Sequence, residues 1–193
     1  MTSFYSESEL KQIGFKYVGM DVHISKYAHF YDEHSISIGN HVRIDDFCIL
    51  SGKIELRNNI HIAAYSALYG GEEGIYIDDF ANISSRVTIY SVSDDYSGMT
   101  MSNPTIPNKY KAVESAPVHI GRHTIIGATS VVMPGVNIEE GSSFGAFSFI
   151  NRDSESWSVN IGIPFKKIKD RKRDLLELEK KYSREENNLL NHD

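Results

Sequence analysis

The 193-residue chain has one cysteine, Cys48, so it can form no internal disulfide and no multi-cysteine metal site. No apolar run approaches the roughly 20 residues that a transmembrane helix needs. The first residues, Met1 to Glu7, lack the basic start and apolar stretch of a signal peptide. Positive charge is also short: 20 Lys and Arg face 26 Asp and Glu, a formal net charge of -6. That balance excludes a general nucleic-acid binder. These absences predict a cytoplasmic chain with no membrane span.

What is present is ordinary for one folded domain: 40% hydrophobic and 24% charged residues. The charge is unevenly placed. Residues 166–193 hold nine basic and seven acidic side chains, so the rest of the chain carries -8. Six cations (Lys166, Lys167, Lys169, Arg171, Lys172 and Arg173) fall within eight residues, opposed there only by Asp170. Such a cluster beside an acidic body marks an anion site or a solvated helix start.

Large apolar residues recur every six positions. Ile120, Ile126, Val132, Ile138, Phe144 and Ile150 form one series; Ile38, Ile44, Leu50, Leu56, Ile62 and Leu68 form another. After a three-residue insertion come Ile77, Ile83 and Ile89. Two positions before each, the residues are aliphatic or small, as in Val42, Cys48, Ser66, Ala81, Thr124, Ser130 and Ser148. A step of six fits neither an amphipathic helix nor a simple alternating strand. It fits short strands joined by turns, three to an 18-residue coil, with coils stacked about 4.8 Å apart. Gly39, Gly121, Gly127 and Gly145 directly follow repeat residues, where a tight turn would call for positive φ.

These repeats carry a resemblance. Ile120-Gly121-Arg122-His123-Thr124-Ile125, Ile126-Gly127-Ala128, Ser143-Phe144-Gly145-Ala146 and Gly162-Ile163-Pro164-Phe165-Lys166 look like the hexapeptide-repeat acyltransferases. The nearest group is the galactoside and maltose acetyltransferase type, which includes surface-polysaccharide enzymes. The resemblance covers about residues 20–170. It implies an all-β left-handed parallel β-helix, assembled as a homotrimer with active sites at subunit boundaries. It also implies acetyl-CoA as donor and a sugar or nucleotide-sugar as acceptor.

The expected organisation is an N-terminal helix and lead-in at 1–19, a β-helix at 20–165 with an extruded loop at about 90–117, and a basic segment with a helix at 166–193. Ser6 and Glu9 form a capping-box pattern for a helix ending at Gly14. In the C-terminal helix, Leu175, Leu178 and Tyr182 share a face, and residues 184–193 are expected to fray.

Acyl transfer needs a donor cavity, an aligned acceptor, a base and an oxyanion donor. The Gly127-Ala128 and Gly145-Ala146 turns can admit a pantetheine arm and offer backbone N–H groups. By the resemblance, CoA-binding residues fall on Ala128, Gly145, Ala146, Asn151, Arg152, Lys166 and Lys169. The family's loop histidine is missing: residues 91–118 contain none, and its position falls on Asp94. The family's acceptor asparagine falls on Ala63. Three sources of base therefore stand open: Asp94 or Asp95 with a raised pKa, His61 from the face of the β-helix, or an amine acceptor that needs less help. His119 and His123 lie in different phases of the repeat, so no metal site is expected. The main reading is O-acetylation of a sugar hydroxyl for a surface polysaccharide. The alternatives are N-acetylation of a nucleotide-linked amino sugar and a non-catalytic β-helix assembly module.

Overall fold

A computed structural model describes residues 3–190. The repeat becomes a stack of coils, each contributing short strands to three faces. One face runs through His23, Arg43, His61, Asn82, Ile125, Ser143 and Val159, paired in parallel from coil to coil. The second runs through His29, Ile49, Ala67, Thr88, Val131 and Phe149. The third runs through Tyr17, Ser37, Glu55, Tyr76, His119 and Asn137. These are the His61, Thr88 and His119 faces. This is the parallel β-helix that the six-residue step predicts.

The core is the set of inward columns. Ile24, Ile44, Ile62, Ile83, Ile126 and Phe144 stack behind the His61 face, all buried. Each such side chain contributes about 1.5–3 kcal/mol by leaving water. The small inward positions hold buried serines that bind corner carbonyls: Ser66 Oγ donates to Ser84 O at 3.0 Å, Ser130 to Gly127 O at 2.7 Å and Ser148 to Gly145 O at 2.7 Å. Cys48 joins this column, and burial pushes its thiol up to about 11.

The corners correct one expectation. Positive φ falls not on Gly39, Gly121, Gly127 and Gly145 but on side-chain-bearing residues: Phe47, Tyr65, Arg86, Thr129 and Phe147 at one corner, His41, Asn59, Phe80, His123 and Trp157 at another. The glycines serve close approach instead. A Cβ on Gly127 would lie 2.5 Å from Ala146 N, and one on Gly39 would lie 2.3 Å from Arg57 O. The next coil leaves no room there for a side chain.

Helix α1 (Glu7–Ile13) has the expected capping box at Ser6 and ends at Gly14 with φ 96°. Its Leu10 is buried against the first coils. The basic segment opens as a strand, Lys166–Asp170, antiparallel to Ser158–Ile161, rather than as a helix start. Helix α2 (Leu175–Leu190) then climbs the corner between the His119 and His61 faces. Glu179 accepts from Arg122 and, at 2.8 Å, pairs with His123. Tyr182 Oη donates to Asn59 at 3.1 Å, and its ring meets Phe80 edge-on. The helix continues to Leu190, and 191–193, the end of the stretch expected to fray, lie outside the described residues. The predicted apolar face is only partly covered: Leu178 is 64% exposed.

The long loop leaves the Thr88 face after Tyr90 and returns at Val118. Its base is clamped by buried Ser91, whose hydroxyl donates to Gly70 O and whose carbonyl accepts Ala116 N–H at 3.0 Å. An antiparallel pair, Val92–Asp94 with Val113–Ser115, carries the loop outward.

Truncation of one central core residue should weaken the whole stack. Ile83→Ala is expected to cost about 2–5 kcal/mol, and Ile83→Val less than about 1.5 kcal/mol, read as shifts in the chemical-denaturation midpoint.

Candidate active site

The corner between the His61 and Thr88 faces carries a column of small residues. Ala63, Ser84, Gly127 and Gly145 each follow an inward residue, and Ala64, Ser85, Ala128 and Ala146 come next. Backbone bonds stack them: Ala63 N–H to Ile83 O at 2.9 Å, Ser84 to Ile126 O at 3.0 Å, Gly127 to Phe144 O at 2.8 Å and Gly145 to Asn160 O at 2.8 Å. The N–H groups of Ala128 and Ala146 have no protein acceptor among the described residues. The result is a groove with a backbone floor and unspent donors. Such a surface accommodates a narrow amide-bearing arm such as pantetheine, and its donors suit a developing oxyanion. A ladder of aromatic rings flanks it above: Tyr27 and Phe47 are tilted with centroids 5.7 Å apart, and Phe47 and Tyr65 are stacked at 5.0 Å.

The sequence-predicted cations gather at the lower end. Ile161 lies beneath Gly145, 3.2 Å from its ideal Cβ, and Lys166 is the ladder partner of Ile161. Lys167 is neutralised by Glu155 and Asp170, each at 2.7 Å. Lys166 and Lys169 are exposed and have no acidic partner among the described residues. Arg152, next to exposed Asn151, lies 4.4 Å over the Phe165 ring and donates to the Phe165 carbonyl. It shapes the turn before Lys166 and has no carboxylate partner among the described residues. Arg171 anchors the other end of this strand through His123 O at 2.7 Å and Gly141 O at 3.0 Å.

His61 sits on its face near the upper end of the groove. Its Nε2 is 2.8 Å from Asp45 and its Nδ1 3.2 Å from Asn82. Arg43 Nε donates to the same Asp45 at 2.7 Å. Partial burial pushes Asp45 upward, but bonds from His61 and Arg43 outweigh it and hold the carboxyl below its ordinary value. Both nitrogens of His61 are therefore engaged, which suits a structural link better than a free base.

Geometry separates the two loop aspartates. Asp95 folds its own turn: Oδ1 accepts Ser97 N–H at 2.7 Å, and Oδ2 accepts from both the N–H and the hydroxyl of Thr100, each at 3.0 Å. Hydrogen bonds from Ser97, then Thr100, pull its carboxyl down to about 2. Asp94 receives only Asn103 N–H, at 3.2 Å on Oδ2, and lines a shallow cavity of about 420 Å³ with Tyr96, Met99 and Val113. Its Oδ1 has no protein donor among the described residues. Asp94 stands at the far edge of the Thr88 face from the groove, so a single chain does not bring the two together. Ser84, Ser85 and Arg86, beside the groove, escape the sequence reading. The signal was available as the pair of small residues that follows each inward position of this face.

Residues 117–152 match the bacterial transferase hexapeptide (six repeats) family. The chain is 49% identical over 180 residues to a dTDP-4-amino-4,6-dideoxy-D-glucose acyltransferase of Escherichia coli, spanning 92% of this chain and 93% of that one. AntD, an N-acyltransferase from Bacillus cereus solved with dTDP and 3-hydroxybutyryl-CoA, superposes with TM-score 0.95 and 52% identity, over 97% of this chain and 100% of that one. The S84A mutant of AntD has been solved with dTDP-4-amino-4,6-dideoxyglucose and coenzyme A (TM-score 0.94, 52% identity, 96% of this chain, 100% of that one). The chain belongs to the hexapeptide-repeat acyltransferases. It is an acyl-CoA-dependent enzyme acting on a sugar-related substrate, which overturns the non-catalytic alternative.

Asp95 and Asp94 should part company on substitution. Asp95→Asn is expected to speed amide exchange at Ser97 and Thr100, read by hydrogen-exchange mass spectrometry. Because the folded carboxyl lies at about 2, below its unfolded value of about 3.9, its support of the turn is complete above that value. It fades as pH falls toward 2. Wild-type protection should follow that course, and the Asn variant should lack it.

Proposed function

We propose that this enzyme transfers an acyl group from CoA to the amine of a nucleotide-linked 4-amino-4,6-dideoxy sugar, not to a sugar hydroxyl. The observation that carries this reading is the full-length likeness to two enzymes described for that class of substrate. The loop supports it independently. It offers a carboxylate in place of an imidazole, and an amine is a stronger nucleophile than a hydroxyl and needs less activation.

Asp94 is the acceptor-side group in this reading. The D94A and D94N mutants of AntD were both solved with dTDP and coenzyme A, and this chain carries Asp94 at the same number. The acceptor amine enters as an ammonium. Asp94 accepts a hydrogen bond from it and takes one proton. The freed lone pair attacks the thioester carbonyl, forming the C–N bond. A corner N–H, that of Ala128 or Ala146, donates to the oxyanion. Collapse breaks the C–S bond and expels CoA thiolate, which takes up the proton that the nitrogen loses. The amide is left on the sugar. Lys166 and Lys169, with Arg152 and Asn151 beside them, hold the CoA phosphates, while Gly145 and Ala146 form the bed for pantetheine.

The site is complete only in a homotrimer. Asp94 and the groove lie at opposite edges of the Thr88 face, and both regions expose apolar surface: Tyr96 is 90% and Met99 86% exposed on the loop, and the Tyr27–Phe47–Tyr65 ladder borders the groove. A loop of one copy over the groove of the next is a heterologous contact, and on a three-sided prism it closes after three copies. Among the described residues no helix is long and apolar enough to cross a membrane. Cytoplasm belongs to the same proposal, because both co-substrates carry phosphates that do not cross a bilayer unaided.

Thiol release should be seen with dTDP-4-amino-4,6-dideoxyglucose and not with its 4-hydroxy counterpart, for acetyl-CoA or 3-hydroxybutyryl-CoA as donor. Equal rates for both acceptors would overturn N-transfer. Asp94→Asn should lower kcat roughly 10²–10⁴-fold. Its thermal stabilisation by acyl-CoA should persist, about 2.7 kcal/mol at 100 times Kd. Unchanged turnover would remove Asp94 as the base. Sedimentation equilibrium should give three copies.

A further inference from the structure

Both co-substrates of the proposed reaction carry phosphates, yet the cations Lys166 and Lys169 stand only at the lower end of the groove. The upper end holds Lys26, Arg43, His61 and Arg86. Lys26 is paired with Glu9 at 2.6 Å, and Arg43 and His61 share Asp45 at 2.7 and 2.8 Å. Arg86 alone of these has no carboxylate partner among the described residues. It is exposed, and it occupies a left-handed corner position with φ 61°, where its N–H donates to Ala64 O at 3.2 Å. Its guanidinium lies 5.4 Å from the centroid of the Tyr65 ring.

From these observations we infer that Arg86 binds the diphosphate of the nucleotide-sugar acceptor and sets the preference for a nucleotide-linked over a free amino sugar. The inference rests on the amino-sugar reading above. The guanidinium lies over the Tyr65 ring and has no hydrogen-bond partner among the described residues, so its N–H edges are open, and that planar fork matches two phosphate oxygens. The body of the chain is acidic, so a dianionic diphosphate needs a local cation to settle there. Position agrees with the chemistry. Arg86 belongs to the turn of Ser84 and Ser85, two coil steps, about 10 Å, above the Gly145 turn. The two phosphate-bearing substrates then enter from opposite ends of one groove, and their reactive ends meet between Ser84 and Gly127.

The test compares wild type, Arg86→Gln and Arg86→Lys on dTDP-4-amino-4,6-dideoxyglucose and on the methyl glycoside of the same amino sugar. Arg86→Gln should raise KM for the nucleotide sugar roughly tenfold or more. KM for acyl-CoA and the kinetics on the glycoside should stay as in wild type, so the preference for the nucleotide form collapses. Arg86→Lys should restore part of it, since charge remains while the fork is lost. An unchanged nucleotide-sugar KM in the Gln variant, or an equal loss on the glycoside, overturns the inference. If wild type does not acylate the nucleotide amino sugar, the functional reading itself fails. Calorimetric titration with dTDP then decides the site: weaker binding by Arg86→Gln than by wild type supports it, and equal binding overturns it.

Discussion

Everything in this molecule depends on the parallel backbone hydrogen bonds between successive coils. Bonds such as Ser84 N–H to Ile126 O and Gly127 N–H to Phe144 O hold each residue directly over its counterpart in the next coil. That vertical register turns scattered sequence positions into columns. Inward columns become a continuous apolar core, and no coil could bury its own share alone. Corner columns become surfaces of uniform chemistry. The groove exists because small residues repeat at one corner, and the close spacing of coils forbids a side chain on Gly127.

The columns were legible because strict spacing leaves a signature that local propensity cannot mimic. The step of six gave the faces, and the capping box at Ser6 with Gly14 gave α1. Other features depend on neighbours that lie far away in the chain. The corner glycines read as sites of positive φ, whereas the left-handed positions carry Phe47, Tyr65 and Arg86. Only the stacked coil reveals that the glycines answer a steric demand. The segment after Phe165 read as an anion site or a solvated helix start from its charge, and in the structure it pairs with an edge at Ser158–Ile161. Tyr182 and Glu186 tie helix α2 to Asn59 and His41 on the corner, partners more than a hundred residues away in the chain. In the site, the small residues and the basic cluster were readable. The division of labour between Asp94 and Asp95 was not, since it depends on which carboxylate Thr100 and Ser97 consume.

Charge is sorted by partner rather than by count. Arg57, Arg122 and Lys167 face carboxylates and serve the architecture, joining coils or holding the tail. Arg152 and Arg171 spend donors on backbone carbonyls around the basic strand and thereby fix where Lys166 and Lys169 stand. In a chain of net charge -6, the unpaired cations beside the groove are thus held in place by neighbours whose own charges and donors are already spent.

The coil stack also makes the molecule a ruler. Its graduations are fixed at about 4.8 Å, and chain length between two corner residues is counted in whole turns. Gly127 and Gly145 are one graduation apart, and the loop between Tyr90 and Val118 leaves and rejoins without adding any: Tyr76 still pairs with His119 in the adjacent coil. The loop can therefore change in length or composition while the separation between the Ser84 turn and the Gly145 turn stays fixed. Insertion of a full coil would alter that separation by one complete graduation and nothing smaller. In such a scaffold the reach of the loop can drift gradually, whereas the distance between the two ends of the groove is quantised.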